Sequence, residues 1–248
     1  LRKKLISKGH HFDSSGDTEV IIKMFIEYGD NCVDYLDGVF AFCIYDTKNK
    51  SIFLARDRFG IKPLYYSIED NHIVFSSSMK GILGYIKNKK IDPIALNYQF
   101  TLHSVVPAPH TIISGINKLE PGNTMTVCKS GKSYLKKYFD IEQVEISDLS
   151  DSQIIDKSRY LLNEAIKKRL NVADVPVGIL LSGGLDSSLI TAMSSQVKEK
   201  ISTYSIGFDT IEKEIGNEFY YSDIVAKYYH TKHSKYNVTN DLLYDNLD

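Results

Sequence analysis

Val177-Gly178-Ile179-Leu180-Leu181-Ser182-Gly183-Gly184-Leu185-Asp186-Ser187-Ser188 decides the fold of the second half of this chain. A short, wholly apolar run reads as a parallel strand buried on both faces. The paired glycines allow a tight turn and a close backbone approach to a ligand. Ser187-Ser188-Leu189-Ile190-Thr191-Ala192-Met193 continues as a helix whose free N–H groups face that turn. Strand, glycine turn and helix N-terminus together make an anion cradle. No Gly-Lys-[Ser/Thr] follows, so this is not the common P-loop. An ordinary strand-to-helix turn is the bland alternative. The density of the Ser-Gly-Gly-x-Asp-Ser pattern favours an anion-binding loop over that alternative.

Around the loop, strand and helix patterns alternate. Ile154, Ile155, Leu161, Leu162, Ala165, Ile166 and Leu170 form a helical stripe, Ile201 to Phe208 a second strand, Glu218 to Tyr229 a helix, and Ser234 to Val238 a third strand. Such alternation predicts an α/β doubly wound parallel sheet, with ligands beyond the carboxyl ends of its strands.

The first half reads differently. A helix runs from Thr18 to Tyr28 with Asp17 as its N-cap and Gly29 as its stop. Four β-type runs follow, at Val39–Asp46, Ser51–Arg56, Leu64–Ile68 and His72–Ser76, separated by turn residues that include Glu69-Asp70-Asn71. They predict a meander forming one sheet of a layered α+β domain. Met79–Ile86 and Asp92–Phe100 read as short helices, Val105–His110 as extended, and Thr124–Cys128 as an edge strand. Residues 1–141 therefore form one domain, 142–152 a polar linker, and 153–248 a second domain.

Composition narrows the class. The 248 residues are 43% hydrophobic and carry a net charge of −1, which is ample for a packed core and suggests no nucleic-acid surface. No apolar stretch reaches the length of a membrane span. Three widely spaced cysteines, Cys32, Cys43 and Cys128, point to reduced thiols and a cytoplasmic setting. The seven histidines form no zinc pattern. The chain opens Leu1-Arg2-Lys3-Lys4 and stops at Asp248 after only three strands of the second sheet, so we expect a piece of a longer protein.

Both halves together resemble the glutamine-dependent asparagine synthetases. The resemblance rests on Gly16-Asp17-Thr18-Glu19-Val20, Ala55-Arg56-Asp57-Arg58-Phe59-Gly60-Ile61-Lys62-Pro63-Leu64-Tyr65, Val106-Pro107-Ala108-Pro109, Asp174-Val175-Pro176-Val177-Gly178 and the loop at Ser182. It implies a class II glutaminase domain of the N-terminal-nucleophile type, followed by an ATP-pyrophosphatase synthetase domain. It also implies adenylation of aspartate by ATP, then amidation of β-aspartyl-AMP by glutamine-derived ammonia. Ser182, Gly183, Gly184, Ser187 and Ser188 would hold pyrophosphate, and Asp186 would bind the Mg²⁺ that accompanies ATP. Leu180 and Ile206 match positions whose backbone holds adenine, their side chains being expected in the core. Asp17 would bind the α-ammonium of glutamine. From the residues alone N-capping is the favoured reading of Asp17, and for Asp186 it is the lesser alternative to binding Mg²⁺. Arg56, Asp57 and Arg58 are expected to form an ion-pair cluster.

The family's catalytic nucleophile is a terminal cysteine with a free amine, and none of the three cysteines here is terminal, so no catalytic residue is assigned within 1–248. The chain departs from the family at His110, at His230 where glycine is common, and at Ser234 after His233. The partners implied are ATP, aspartate and glutamine, with a homodimer left open. Two other readings stay in play: a relative that amidates or cyclises a different carboxylate, including β-lactam-forming ligases, and a nucleotide-binding remnant without turnover.

Overall fold

A computed structural model describes residues 1–69, 72–141, 149–173, 175–208 and 218–246. Asp174, the turn residues Asp70 and Asn71, and most of the expected linker lie outside the described residues. The chain divides into two compact units, 1–143 and 144–248.

Unit 1 begins with helices α1 (Arg2–Ser7) and α2 (Asp17–Tyr28) and a 3₁₀ turn at Gly29–Tyr35. Strands β1 (Ala41–Asp46), β2 (Ser51–Arg56), β3 (Tyr65–Glu69) and β4 (His72–Ser76) follow. Then come α3 (Lys80–Leu83), α4 (Pro93–Thr101), β5 (Asn117–Lys118), β6 (Asn123–Val127) and β7 (Ser133–Lys137). The four-stranded meander expected from the pattern is in fact two hairpins in two antiparallel sheets, ordered β1-β2-β6-β7 and β4-β3-β5. Alternation along β2 shows how they stack. Phe53 and Ala55 pack with Leu5, Met24, Cys32 and Val33 from the helices, whereas Leu54 packs with Leu64, Leu119, Met125 and Val127. Ile82, Ile86 and Ile116 then join α3 to the far side of the second sheet. The layers run helix, sheet, sheet, helix.

The crossing between sheets explains the Arg56–Pro63 motif. Asp57 is buried, and its carboxylate accepts N–H groups from Phe40, Phe59, Ile61 and Lys62 at 2.9–3.3 Å. Arg56 donates to the carbonyls of Gly60, Lys62 and Leu119, and Arg58 donates to those of Leu36 and Asp34. The expected ion-pair cluster is therefore a backbone clamp: the charged groups satisfy peptide groups that a tight connection leaves unpaired. Gly60 takes φ 64°, and a Cβ there would sit 2.8 Å from Pro121.

Two other expectations fail locally. Asp17 is the first residue of α2, not its cap; Gly16 holds the cap position and no side chain caps the helix. The strand after Asn123 is not at an edge, because β7, exposed along its whole length and ending in two lysines, pairs beyond it. Its polarity hid it from the pattern.

Unit 2 comprises α5 (Asp151–Val172), β8 (Gly178–Leu180), α6 (Leu185–Ser195), β9 (Ser202–Phe208), α7 (Phe219–Tyr228), β10 (Lys232–Val238) and α8 (Asn240–Asp245). Ser150 and Gln153 form a capping box, so the helix starts inside the stretch read as linker. The strands are parallel in the order β8-β9-β10. Right-handed crossovers in a monotonic order place successive helices on one face, and α6 and α7 pack together against these strands. A doubly wound sheet needs a reversal of strand order; the described strands contain none. His230, where a glycine was expected, takes φ 52° just past α7.

Candidate functional site

The loop at Ser182 leaves the carboxyl end of β8 and enters α6 within four residues. Leu181 is buried and donates its N–H to the Tyr204 carbonyl at 2.8 Å, which pins the strand end to β9. Beyond it the side chains organise one another. Ser182 Oγ accepts the Gly184 N–H at 3.3 Å and shares a 3.0 Å hydrogen bond with Ser187 Oγ, while Ser187 Oγ donates to the Gly184 carbonyl at 3.2 Å. No side chain caps α6, whose N-cap is Gly184. Its first amides thus keep their partial positive charge for an anion.

One observation fits a ligand of phosphate type. Ser188 Oγ is buried and has no hydrogen-bond partner, an arrangement that a protein rarely leaves standing. Gly183 takes φ 91°, and a Cβ there would lie 2.5 Å from Tyr221 Cβ and 2.7 Å from the Ser222 nitrogen. The first turn of α7 therefore walls the loop. Tyr221 and Ser222 escaped the sequence reading because only packing brings α7 there.

Asp186 stands exposed in the first turn of α6, so N-capping is excluded for it as it is for Asp17. Among the described residues, no group of three or more His, Cys, Asp or Glu side chains could hold a metal. The donor set suits Mg²⁺ arriving with a triphosphate, which takes one or two carboxylates and keeps its other ligands as phosphate and water. Leu180 and Ile206 are 73% and 56% exposed, against the expectation that they would be in the core. Leu180 pairs with Tyr204, two residues before Ile206, so all three face the side of the sheet that α6 and α7 leave open.

In unit 1, the Asp17 carboxylate is exposed at the start of α2. The neighbouring turn is held instead by Glu19, which accepts the Ser14 hydroxyl at 2.7 Å and the N–H groups of Ser14 and Asp13. The Ser14 hydroxyl first, then these amides, lowers the Glu19 pKa. Arg2 donates to the carbonyls of Ser14 and Gly16 beside it. Two of the internal thiols are poor nucleophiles: burial pushes Cys32 up to about 12 and Cys43 to about 11.

Comparison with known proteins matches two families along the chain. Residues 1–139 match the family described as glutamine amidotransferase domain, and residues 157–248 match asparagine synthase. The chain belongs to the glutamine-hydrolysing asparagine synthetase family. Asparagine synthetase [glutamine-hydrolyzing] 3 of Bacillus subtilis is 37% identical over 219 residues, covering 86% of this chain and 35% of the relative. Asparagine synthetase [glutamine-hydrolyzing] 1 of the same organism is 34% identical over 209 residues, 84% and 33% of the two chains. Amidase chry2 of Gibberella zeae is 31% identical over 189 residues, 75% and 27%. The chain thus spans about a third of the length of these relatives. Among the described residues no helix is long and apolar enough to cross a membrane.

Proposed function

We propose that this chain carries the nucleotide loop and part of the glutaminase domain of a glutamine-dependent asparagine synthetase. The observation that carries the reading is the loop Ser182–Ser188, an uncapped helix start with an orphaned buried hydroxyl at the carboxyl end of a parallel strand. In this reading unit 2 is an ATP-pyrophosphatase domain, its sheet doubly wound once further strands join it, and unit 1 an N-terminal-nucleophile domain. ATP lies with its β- and γ-phosphates on the loop and adenine over the aliphatic surface of Leu180 and Ile206. The aspartate side-chain carboxylate attacks the α-phosphorus, the α–β bridging oxygen leaves with pyrophosphate, and β-aspartyl-AMP results. Ammonia from glutamine then displaces AMP to give asparagine. The loop amides and the hydroxyls of Ser182, Ser187 and Ser188 act where charge builds, on the departing pyrophosphate. Mg²⁺ held by Asp186 would add charge neutralisation at the same phosphates. Asp17, free of capping duty, binds the α-ammonium of glutamine.

The test is ATP–pyrophosphate exchange by the full-length gene product, screened against aspartate, other carboxylic acids, and peptide and sugar acceptors. Exchange driven by aspartate supports the reading. Exchange driven by another acceptor alone keeps the ATP chemistry and replaces asparagine as product, an outcome given weight by the match to a protein named an amidase. No exchange with any acceptor removes the nucleotide assignment.

A further inference from the structure

Beneath α7 a polar chain runs from β10 to the strand that feeds the loop. Thr203 and Ser205, on the buried face of β9, are 0% and 4% exposed, and His233 of β10 lies between them. The Ser205 hydroxyl donates to the Leu181 carbonyl, which commits its only hydrogen. Ser205 Oγ must then accept from His233, whose Nε2 is 3.4 Å away. With Nε2 protonated, the neutral ring presents Nδ1 as an acceptor. Thr203 Oγ1, at 2.9 Å, donates to it, and accepts in turn from Thr231 Oγ1 at 2.7 Å. With the ring neutral, every hydrogen in the chain has a place, and the Ser205 bond to Leu181 makes Nε2 a donor in any case. The charged groups facing the ring are Asp223, whose Oδ1 is 3.7 Å from Nε2, and Lys235, paired to Asp223 at 2.8 Å.

The chain ends on a carbonyl that matters. Leu181 C=O and Ser182 N–H belong to one planar trans peptide and point in opposite directions. Orienting the carbonyl therefore orients the first amide of the loop. Thr203, Ser205 and His233 occupy inward positions where a parallel strand ordinarily carries aliphatic residues, and three buried polar groups serve packing worse than three apolar ones unless their geometry is used.

We propose that His233 is a positioning residue for the loop, acting through Ser205 to set the Leu181–Ser182 peptide from which the pyrophosphate contacts depart. This rests on reading Ser182–Ser188 as the pyrophosphate loop. His233 touches no substrate. Its role needs a donor at the place of Nε2, and the polarity of the side chain by itself is not enough.

Two amides separate these requirements. Glutamine can carry an N–H₂ group out to the Nε2 position, whereas asparagine reaches only as far as Nδ1. In the full-length gene product, with the carboxylic acid that best supports exchange, Ser205→Ala, His233→Asn and His233→Leu should each lower kcat for ATP–pyrophosphate exchange about tenfold, a change of about 1.4 kcal/mol in the barrier. The KM for ATP should move less than about threefold, because the effect falls on the separating phosphates. His233→Gln should stay within about threefold of wild type. Ser194→Ala, which removes another buried hydroxyl away from the chain, controls for stability alone. Equal activity of His233→Gln and His233→Asn, or a Ser205→Ala effect no larger than that of Ser194→Ala, overturns the positioning role and leaves the loop assignment intact. A wild-type protein that neither exchanges nor binds inorganic pyrophosphate by calorimetry overturns the loop assignment, and this proposal with it. Should His233→Leu fail to fold, the comparison of glutamine with asparagine and the Ser205→Ala result still decide.

Discussion

Gly183→Ala is the sharpest perturbation of the loop, because two independent penalties coincide there. The residue takes φ 91°, a conformation that L side chains rarely adopt, which costs about 1–3 kcal/mol for a non-glycine residue. The new Cβ would also lie 2.5 Å from Tyr221 Cβ, 2.7 Å from Ser222 N and 2.8 Å from the Tyr221 carbonyl carbon. Two of those three atoms are helix backbone, so α7 must shift bodily, and overpacking of this kind costs about 1–3 kcal/mol. The lower unfolded-state entropy of alanine returns only about 0.4–1 kcal/mol. The net loss should be about 1–5 kcal/mol, a large fraction of a typical domain's stability of about 5–15 kcal/mol. For a unit of this size that lowers Tm by roughly 5–25 °C. Gly184→Ala is the control: its Cβ would meet only Ser182 Oγ, at 3.4 Å, with no positive φ. It should lose at most about 1 kcal/mol as a weaker N-cap. Calorimetric scans of the two variants beside wild type give the comparison. Equal transitions for Gly183→Ala and Gly184→Ala would show that α7 does not wall the loop and would refute the reasoning.

Asp186→Ala should lower ATP–pyrophosphate exchange about 100-fold or more, the scale of losing one group that neutralises charge in a transition state, with Tm nearly unchanged since the residue is exposed; wild-type exchange would remove its role. Asp17→Ala should raise the KM for glutamine while sparing synthesis from ammonia, and equal loss of both activities would point to a structural role in α2. His230→Gly should stabilise unit 2 by about 1 kcal/mol, because it relieves a positive φ of 52°; an unchanged or lower Tm contradicts this. The 248-residue chain should release no glutamate from glutamine through Cys32 or Cys43, and iodoacetamide at pH 8 should label both slowly by mass spectrometry. With pKa values raised by burial to about 12 and 11, their thiolates form only as pH rises toward those values.

Much of the candidate site was legible in advance. The strand before Ser182, the glycine turn and the helix after it are local features, each written in a few adjacent residues, and they form where read, although the strand is buried on one face and not on both. The same holds for α2 and α4, the latter capped by Asp92, whose carboxylate accepts the Ile94 and Ala95 amides. Legibility ended where one residue's meaning depended on distant ones. A capping aspartate and a free one look alike in sequence; the turn held by Glu19 makes Gly16 the cap and leaves Asp17 exposed. Leu180 and Ile206 sit in apolar runs that suit a buried strand, but strand order put both helices on the other face and left these side chains open.

By itself the sequence determined the chemistry available: three serines, two glycines and an aspartate at fixed spacing after an apolar strand, together with a family resemblance carried by short contiguous motifs. Contiguity is the reason, since backbone turns and helix starts are set within a few residues. Tertiary structure alone decided that Gly183 meets Tyr221 and Ser222, and that two hairpins of similar pattern enter different sheets. It also decided that Thr203, Ser205 and His233 line up behind the Leu181 carbonyl. These contacts join residues some 20 to 40 positions apart, and period-two polarity records which side of a strand a residue faces but not what it will meet there.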